Sequence, residues 1–481
     1  MNKLKYPTVL LLLLALNISV YATGIEKDFI HVFLNSFNTG KIDSMNSFIS
    51  KHYHPNISND KERFQKVSLS FGTLYDEFGP LEIHSIQYDS TYKSDKYFLK
   101  GTYTKEWVAV MFVLNKEKQI LGQGIWKLQM PEGEKNRHLS VADLPIYLDS
   151  HLEELSQHDF FSGSILIAHS NKIIYHKAFG KKNPNEVLAP DSKYPVASIT
   201  KLFMGIAVAR LIDKQLVNPN DLLSEYIKEY PEDISRQVSV KHLLLHTSGI
   251  EMDDSRSFRE RRSVVKNLND LLQLHVAYLD SLNENRRINF RPLNHYDYTN
   301  EGYDLLGIIV ERVTGLSVEG YIAREICTPL EMKQTSFTAD PGMYGKTQYD
   351  DNGNYYPTQW FSQPFKTGEA PLPSGGLHST TSDLFKLYLG LKKEKLFKSD
   401  WIKRLTMDTV STGGQNFYGY GLEGKMYNNH LGYGHSGGDI SGVNAEFRYF
   451  PGLDLFIVVL CNRNRSASDL VFHISNMITS K

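Results

Sequence analysis

Two cysteines, Cys327 and Cys461, are all that the 481 residues contain. That excludes a disulfide-built scaffold. Cys327 ends a helical pattern and Cys461 ends the strand-like run Phe456–Leu460. Nothing in the sequence brings them together, so two separate buried thiols are expected. An excess of either charge is also missing: 53 basic residues stand against 54 acidic ones, a net charge of −1. No nucleic-acid partner is expected from that balance. Past the first residues there is no apolar run long enough to span a bilayer. His52-x-His54 lacks a third ligand nearby, so no metal site is expected there, and no cofactor is expected anywhere.

Against these absences the chain has 41% hydrophobic and 22% charged residues, enough for a packed core in a globular protein. Lys3 and Lys5 precede the apolar run Val9–Val20, and Val20-Tyr21-Ala22 offers a small-residue cleavage site. Residues 1–22 therefore read as a signal peptide, which predicts an exported protein, periplasmic or secreted. Their removal takes two lysines and no acid, leaving a charge of −3. No cysteine follows the signal to carry a lipid.

The spacing of apolar residues predicts two domains. Residues 25–130 read as a small α+β domain. It has helices near Phe29–Phe37, Ile42–Ile49 and Asp60–Phe78, then strands near Glu82–Tyr88, Lys96–Tyr103, Glu106–Leu114 and Gln119–Leu128. Residues 131–142 are polar and turn-rich, and read as a linker. Residues 143–481 form the second domain. It opens with a helix over about Asp143–Gln157 and a hairpin, Gly163–Ala168 with Lys172–Phe179. It closes with another hairpin, Ala445–Phe450 with Asp454–Leu460, and a helix over about Ser466–Ile478. Ends that both supply strands and a covering helix predict one sheet closed by both, with a helical middle, Ile199–Leu396, on one side.

Three clusters can carry chemistry. In Pro195-Val196-Ala197-Ser198-Ile199-Thr200-Lys201, an irregular segment gives way to a helical run. Lys201 then lies one turn beyond Ser198 on the same face, an amine beside a hydroxyl that needs a base to become a nucleophile. The helix N-terminus adds N–H groups where an oxyanion would form. In Tyr298-Thr299-Asn300, a phenol and a carboxamide precede a helix that runs on to about Val313. Asn300 is also a good helix cap. In His435-Ser436-Gly437-Gly438, glycines allow a backbone to approach a ligand closely.

Taken together, Ser198-x-x-Lys201, Tyr298-x-Asn300 and His435-Ser436-Gly437 resemble the serine β-lactamase and penicillin-binding-protein superfamily, in its class C-like branch with esterase and D-aminopeptidase relatives. Val240–Ile250, Tyr298–Gly307, Pro329–Met332 and Pro373–Leu377 agree with it. The resemblance covers about residues 143–480. It implies an α/β (α+β) β-lactamase-like fold with an antiparallel sheet flanked by helices. The first domain resembles NTF2-like cone domains in pattern alone.

By that likeness Ser198 is the nucleophile, Lys201 helps to deprotonate it, and Tyr298 relays a proton to the leaving group. Asn300, His435 and Ser436 bind substrate, and the N–H groups of Ser198 and Gly438 form the oxyanion hole. His435 stands where β-lactamases carry lysine. That tilts the expected reaction, on a small molecule or peptide, toward an esterase or D-amino-acid peptidase acting on an amide or ester, with a β-lactamase or D,D-carboxypeptidase acting on β-lactams or peptidoglycan peptides as the alternative. Pro292-Leu293-Asn294 is a second departure, where such enzymes more often have Pro-Gly. The charged Asp253–Asn289 insert is expected to be helical. His246 reads as structural. A fold that binds without turnover is the rival outside enzymology, and the presence of Ser198, Lys201 and Tyr298 together argues against it.

Overall fold

The computed structural model describes residues 28–128, 139–250, 261–262, 264–281, 291–349, 355–364, 370–427, 430–439, 441–464 and 466–479. The signal segment, the first part of the linker and much of the insert lie outside these residues. The chain divides into two compact units. One holds Met1–Phe161 with 347–359 and the last two residues. The other holds Ser162–Lys346 and Trp360–Thr479.

In the first unit, α1 (Asp28–Phe37), α2 (Ile42–His52) and α3 (Lys61–Phe78) precede β1 (Leu81–Asp89), β2 (Ser94–Gly101), β3 (Trp107–Leu114) and β4 (Ile120–Leu128). The strands form an antiparallel meander in sequence order. Asp60 caps α3 by accepting from Arg63 N at 3.0 Å. Gly79, at φ 68°, ends that helix in a conformation that a side chain resists. Phe33, Phe48, Phe71 and Phe112 meet edge-on or tilted in the core, with ring centres 5.1 to 6.4 Å apart. His52 packs on Phe48, and His54 Nδ1 accepts from Asn56 N. The helix α4 (Leu144–Gln157) groups with this unit. Lys105 pairs with Glu154 at 3.7 Å, and Tyr103 stacks on His158.

The second unit is built on β5 (Gly163–His169), β6 (Lys172–Phe179), β7 (Val410–Gly413), β8 (Asn416–Tyr418), β9 (Glu423–Tyr427), β10 (His430–Gly438), β11 (Asn444–Phe450) and β12 (Leu455–Cys461). They form one antiparallel sheet in the order β7-β8-β9-β10-β11-β12-β5-β6. The two terminal hairpins join as expected: Gly163 pairs with Cys461 and His169 with Leu455. The edge strands β7, β8 and β9 are not foreseen by periodicity, because they are short and rich in glycine and polar residues.

Alternation along β11 and β12 gives the sheet two different faces. Phe447, Phe456, Val458 and Leu460 join the core of the helical middle, formed by α5 (Thr200–Asp213), α6 (Leu268–Ser281), α7 (Asn300–Thr314) and α8 (Thr381–Lys392). Ile457, Val459, Glu446 and Arg448 turn the other way, the side of the last helix, α9 (Ser466–Thr479). Cys327 and Cys461 are both buried and unpaired. Among the described residues, no helix is long and apolar enough to cross a membrane.

Candidate active site

The turn carrying Ser198 is set by its neighbours. Tyr194-Pro195 pairs with His378-Ser379, and Val196 N donates to Leu377 O at 2.9 Å. Ala197 then takes φ 43°, a left-handed value costly for a residue with a Cβ. The strain turns the chain through one 3-10 turn, Ala197–Ile199, before α5 starts. Thr200 Oγ1 holds the turn, donating to Ala197 O at 2.7 Å and accepting from Leu377 N at 3.1 Å. Ser198 therefore sits just ahead of α5 rather than inside it.

Lys201 reaches back one turn, and its ammonium nitrogen is wholly buried among polar partners. Nζ lies 3.2 Å from Ser198 Oγ, 2.8 Å from Asn300 Oδ1 and 2.6 Å from Ser374 O. Burial lowers the amine's pKa to about 7, against the upward pull of the nearby Asp304 carboxylate. An unprotonated amine has two N–H bonds and one lone pair. The carbonyl oxygens of Asn300 and Ser374 take the two N–H bonds, so the lone pair faces the Ser198 hydroxyl.

Tyr298 completes the triad, its hydroxyl donating to Ser198 Oγ at 2.7 Å. The Lys201 nitrogen lies 4.7 Å from the centre of its ring. Burial nevertheless raises the phenol above its ordinary pKa, so Tyr298 rests protonated. Here the phenol can donate a proton and the amine can accept one.

Helix α7 fixes Tyr298 and Asn300. Thr299, not Asn300, is its cap, accepting from Glu301 N through Oγ1 at 3.2 Å. The carboxamide of Asn300 is thereby left for Lys201. His246 grips the same segment twice: its carbonyl accepts from Asp297 N at 2.8 Å, and its Nδ1 from Thr299 N at 3.2 Å. Its ring lies 4.4 Å from that of Tyr298. Burial keeps this imidazole well below its usual pKa, hence neutral.

The third motif divides. His435 points to the site side of the sheet but is 1% exposed. Its Nε2 meets Tyr418 OH at 2.9 Å and its Nδ1 meets the Ser436 carbonyl at 2.6 Å. The carbonyl can only accept, so Nδ1 carries the proton and Nε2 accepts from Tyr418. Burial lowers its pKa and keeps the ring neutral. The expected substrate contact is thus turned inward. Ser436 departs further: strand alternation places it on the opposite face, where Oγ donates to Glu446 at 2.8 Å and to Glu423 at 3.2 Å. These carboxylates also hold Arg448. Ser436 belongs to that buried charge cluster and not to a substrate pocket.

The glycines behave as their spacing suggests. A Cβ on Gly437 would lie 2.3 Å from Val196 O and 3.1 Å from Ser198 N, so β10 runs directly against the backbone at Ser198. Gly438 follows it at the exposed end of the strand.

Three residues at the floor of the site were not singled out from sequence. Ser374 supplies a carbonyl to Lys201. Asp304 accepts from Ser374 N at 3.1 Å and from Arg262 at 2.6 Å. Arg262 also donates to Ser374 Oγ at 2.7 Å. Ser374 and Asp304 lie in segments that carry the family likeness, but only the fold shows that they converge. Arg262 lies in a charged run with no signal of its own. Of the expected helical insert, α6 is helical and Arg262 reaches the site floor; residues 251–260, 263 and 282–290 fall outside the described residues.

A family model described as Beta-lactamase matches residues 148–477. Protein flp of Staphylococcus aureus strain NCTC 8325 / PS 47 is 29% identical over 354 residues, which cover 68% of this chain and 66% of that protein. Penicillin-binding protein 4* of Bacillus subtilis strain 168 is 25% identical over 298 residues, 57% of this chain and 62% of that protein. An octameric penicillin-binding protein homologue from Pyrococcus abyssi superimposes with a TM-score of 0.58 at 25% identity, covering 69% of this chain and 76% of its own. A D-stereospecific amidohydrolase from Streptomyces shares the fold at a TM-score of 0.56 and 21% identity, covering 70% of this chain and 99% of its own.

Proposed function

The chain belongs to the Beta-lactamase family of serine hydrolases, and on that premise we propose that it cleaves a neutral amide or ester through an acyl-enzyme on Ser198. The observation that carries the proposal is the arrangement of one oxygen between two groups of opposite role. Ser198 Oγ lies 3.2 Å from the Lys201 amine and 2.7 Å from the Tyr298 phenol.

In this reading the free amine of Lys201 takes the Ser198 proton as Oγ attacks the substrate carbonyl. The N–H groups of Ser198 and Gly438 hold the oxyanion. Tyr298 gives its proton to the departing nitrogen or oxygen and regains one from the Lys201 ammonium. Water then attacks the ester on Ser198, and the same groups run in reverse. Asn300 has two tasks, orienting Lys201 through Oδ1 and offering its NH2 to a substrate carbonyl.

His435 supports an uncharged substrate. Where a β-lactam carboxylate would seek a cation, this chain presents a neutral imidazole occupied by Tyr418 and a backbone carbonyl. We therefore rank hydrolysis of esters and amides that lack a carboxylate, D-amino-acid amides among them, above hydrolysis of penicillins. The same reading takes residues 1–22 as an export signal and residues 25–130 as an NTF2-like accessory domain. To test the central point, the protein is incubated with a panel of fluorophosphonate, penicillin and activated-ester probes, and the labelled peptide is sequenced by mass spectrometry. Label on the Ser198 peptide is the expected result. Label on another residue, or none from any probe, overturns the proposal.

A further inference from the structure

We infer that the Arg262–Asp304 ion pair, joined to Lys201 through Ser374, is the positioning element that sets where the catalytic amine stands and how readily it gives up its proton. The inference rests on the reading of Lys201 as general base. Its geometry is a closed ring. Asp304 accepts from Ser374 N with one oxygen and from Arg262 with the other, while Arg262 donates to Ser374 Oγ. The carbonyl of that same Ser374 receives the Lys201 proton bond at 2.6 Å.

Helix spacing strengthens the link. Asp304 is four residues beyond Asn300 on α7, hence on the same face. One turn of that helix therefore provides Lys201 with a direct partner and a charge behind its second partner. Asp304 is fully buried, whereas Arg262 keeps 21% of its side-chain surface exposed. An ion pair with one member out of water is weak evidence for stability on its own. Packing alone therefore gives little reason for it, whereas a neighbouring buried amine does.

Other groups that face Lys201 do less. Burial raises Glu301 to a pKa of about 7, so it is only partly charged at neutrality. Glu423 is engaged by Arg448. His246 and His435 are neutral, and Tyr298 and Tyr303 present their rings. Asp304 favours the ammonium of Lys201 and Arg262 disfavours it, and the carboxylate has the greater effect. The two members of the pair should thus act on the amine with opposite sign.

The test is the acid limb of kcat/KM for a neutral p-nitrophenyl ester, measured on the whole protein. Asp304→Asn should move its midpoint to lower pH, and Arg262→Gln to higher pH, each by about one unit, the scale of a charge a few ångströms away. With the parent amine near 7, that is about a fivefold gain and a ninefold loss at pH 6. A scaffold role would lower activity without moving the limb in opposite directions. The double variant Arg262→Gln/Asp304→Asn strands no charge and keeps the test open if a single variant fails to fold; its limb should lie below the parent's. Limbs that stay in place, or that move together in both single variants, overturn the inference. Lys201→Ala separates this failure from the deeper one. An acid limb that persists unchanged without Lys201 shows that the amine is not the base, whatever the ion pair does.

Discussion

Replacing Gly437 with alanine puts one methyl group where β10 crosses the nucleophile turn. The added carbon would lie 2.3 Å from Val196 O and 3.1 Å from Ser198 N. Non-bonded carbon needs roughly 3.5 Å, so the strand must retreat from the turn by about 1 Å. The two donors expected to hold the oxyanion lie on opposite sides of that contact, Ser198 on the turn and Gly438 on the strand. A shift of this size at a reacting centre costs on the order of a hundredfold. Loss of one oxyanion donor costs roughly a hundred- to a thousandfold in kcat, or about 2.7 to 4 kcal/mol. The two routes agree, so Gly437→Ala should lower kcat by that factor. Gly438→Ala is the control, because its Cβ meets only Val443 O at 3.2 Å and Asn444 Nδ2 at 3.4 Å. The assay is ester turnover with a neutral substrate, with near-ultraviolet circular dichroism to establish that both variants are folded. A folded Gly437→Ala variant that works within a few-fold of the parent would refute the placement of β10 against Ser198.

Other perturbations test other parts of the site. Ser198→Ala should lose about a thousandfold or more of kcat with its melting temperature nearly unchanged, read by ester hydrolysis and thermal melts. Lys201→Ala and Tyr298→Phe should each cost about as much as the two combined, since both serve one proton path; losses that multiply would show independent roles. The ratio of kcat/KM for an anionic and a neutral ester should stay flat as pH falls through about 6.5, because the His435 ring is enclosed; a rising ratio would show that imidazolium reaches the substrate. Stability should fall between pH 7 and 5.5. His275 and His378 are held by burial near a pKa of about 4, so the unfolded chain binds protons that the folded one refuses. Each should cost about 1 kcal/mol by pH 5.5, partly offset by Glu301, whose raised pKa acts in the opposite sense. Chemical denaturation at the two pH values measures the difference.

The sequence made the candidate centre legible because its elements are local. Ser198 and Lys201 are one turn apart, Tyr298 and Asn300 flank one cap, and the terminal hairpins carry clean alternation. What it hid is of two kinds. The first is facing: His435 and Ser436 are adjacent, and only the register of β10 against β9 and β11 shows that their side chains serve opposite faces of the sheet. The second is convergence. Arg262, Asp304 and Ser374 come from three segments, and no spacing rule links a residue in a charged run to one on a helix and another in a glycine-rich turn. The cap was misplaced by one residue because Thr299 and Asn300 are both good caps, and the choice depends on which one Lys201 engages.

The pairing of β5 with β12 also has a consequence in time. The strand beginning at Gly163 is bonded along its length to the strand ending at Cys461. Strand β10, which carries Gly438, reaches β5 only through β11 and β12. A chain still being synthesised can display Ser198 and Lys201 long before this layer exists, but it lacks the strand proposed to polarise a carbonyl. Contacts between such distant segments form late and slowly. On the proposed mechanism, hydrolytic competence arrives with the last strand, and a chain cut short before Leu455 should carry Ser198, Lys201 and Tyr298 and remain inert.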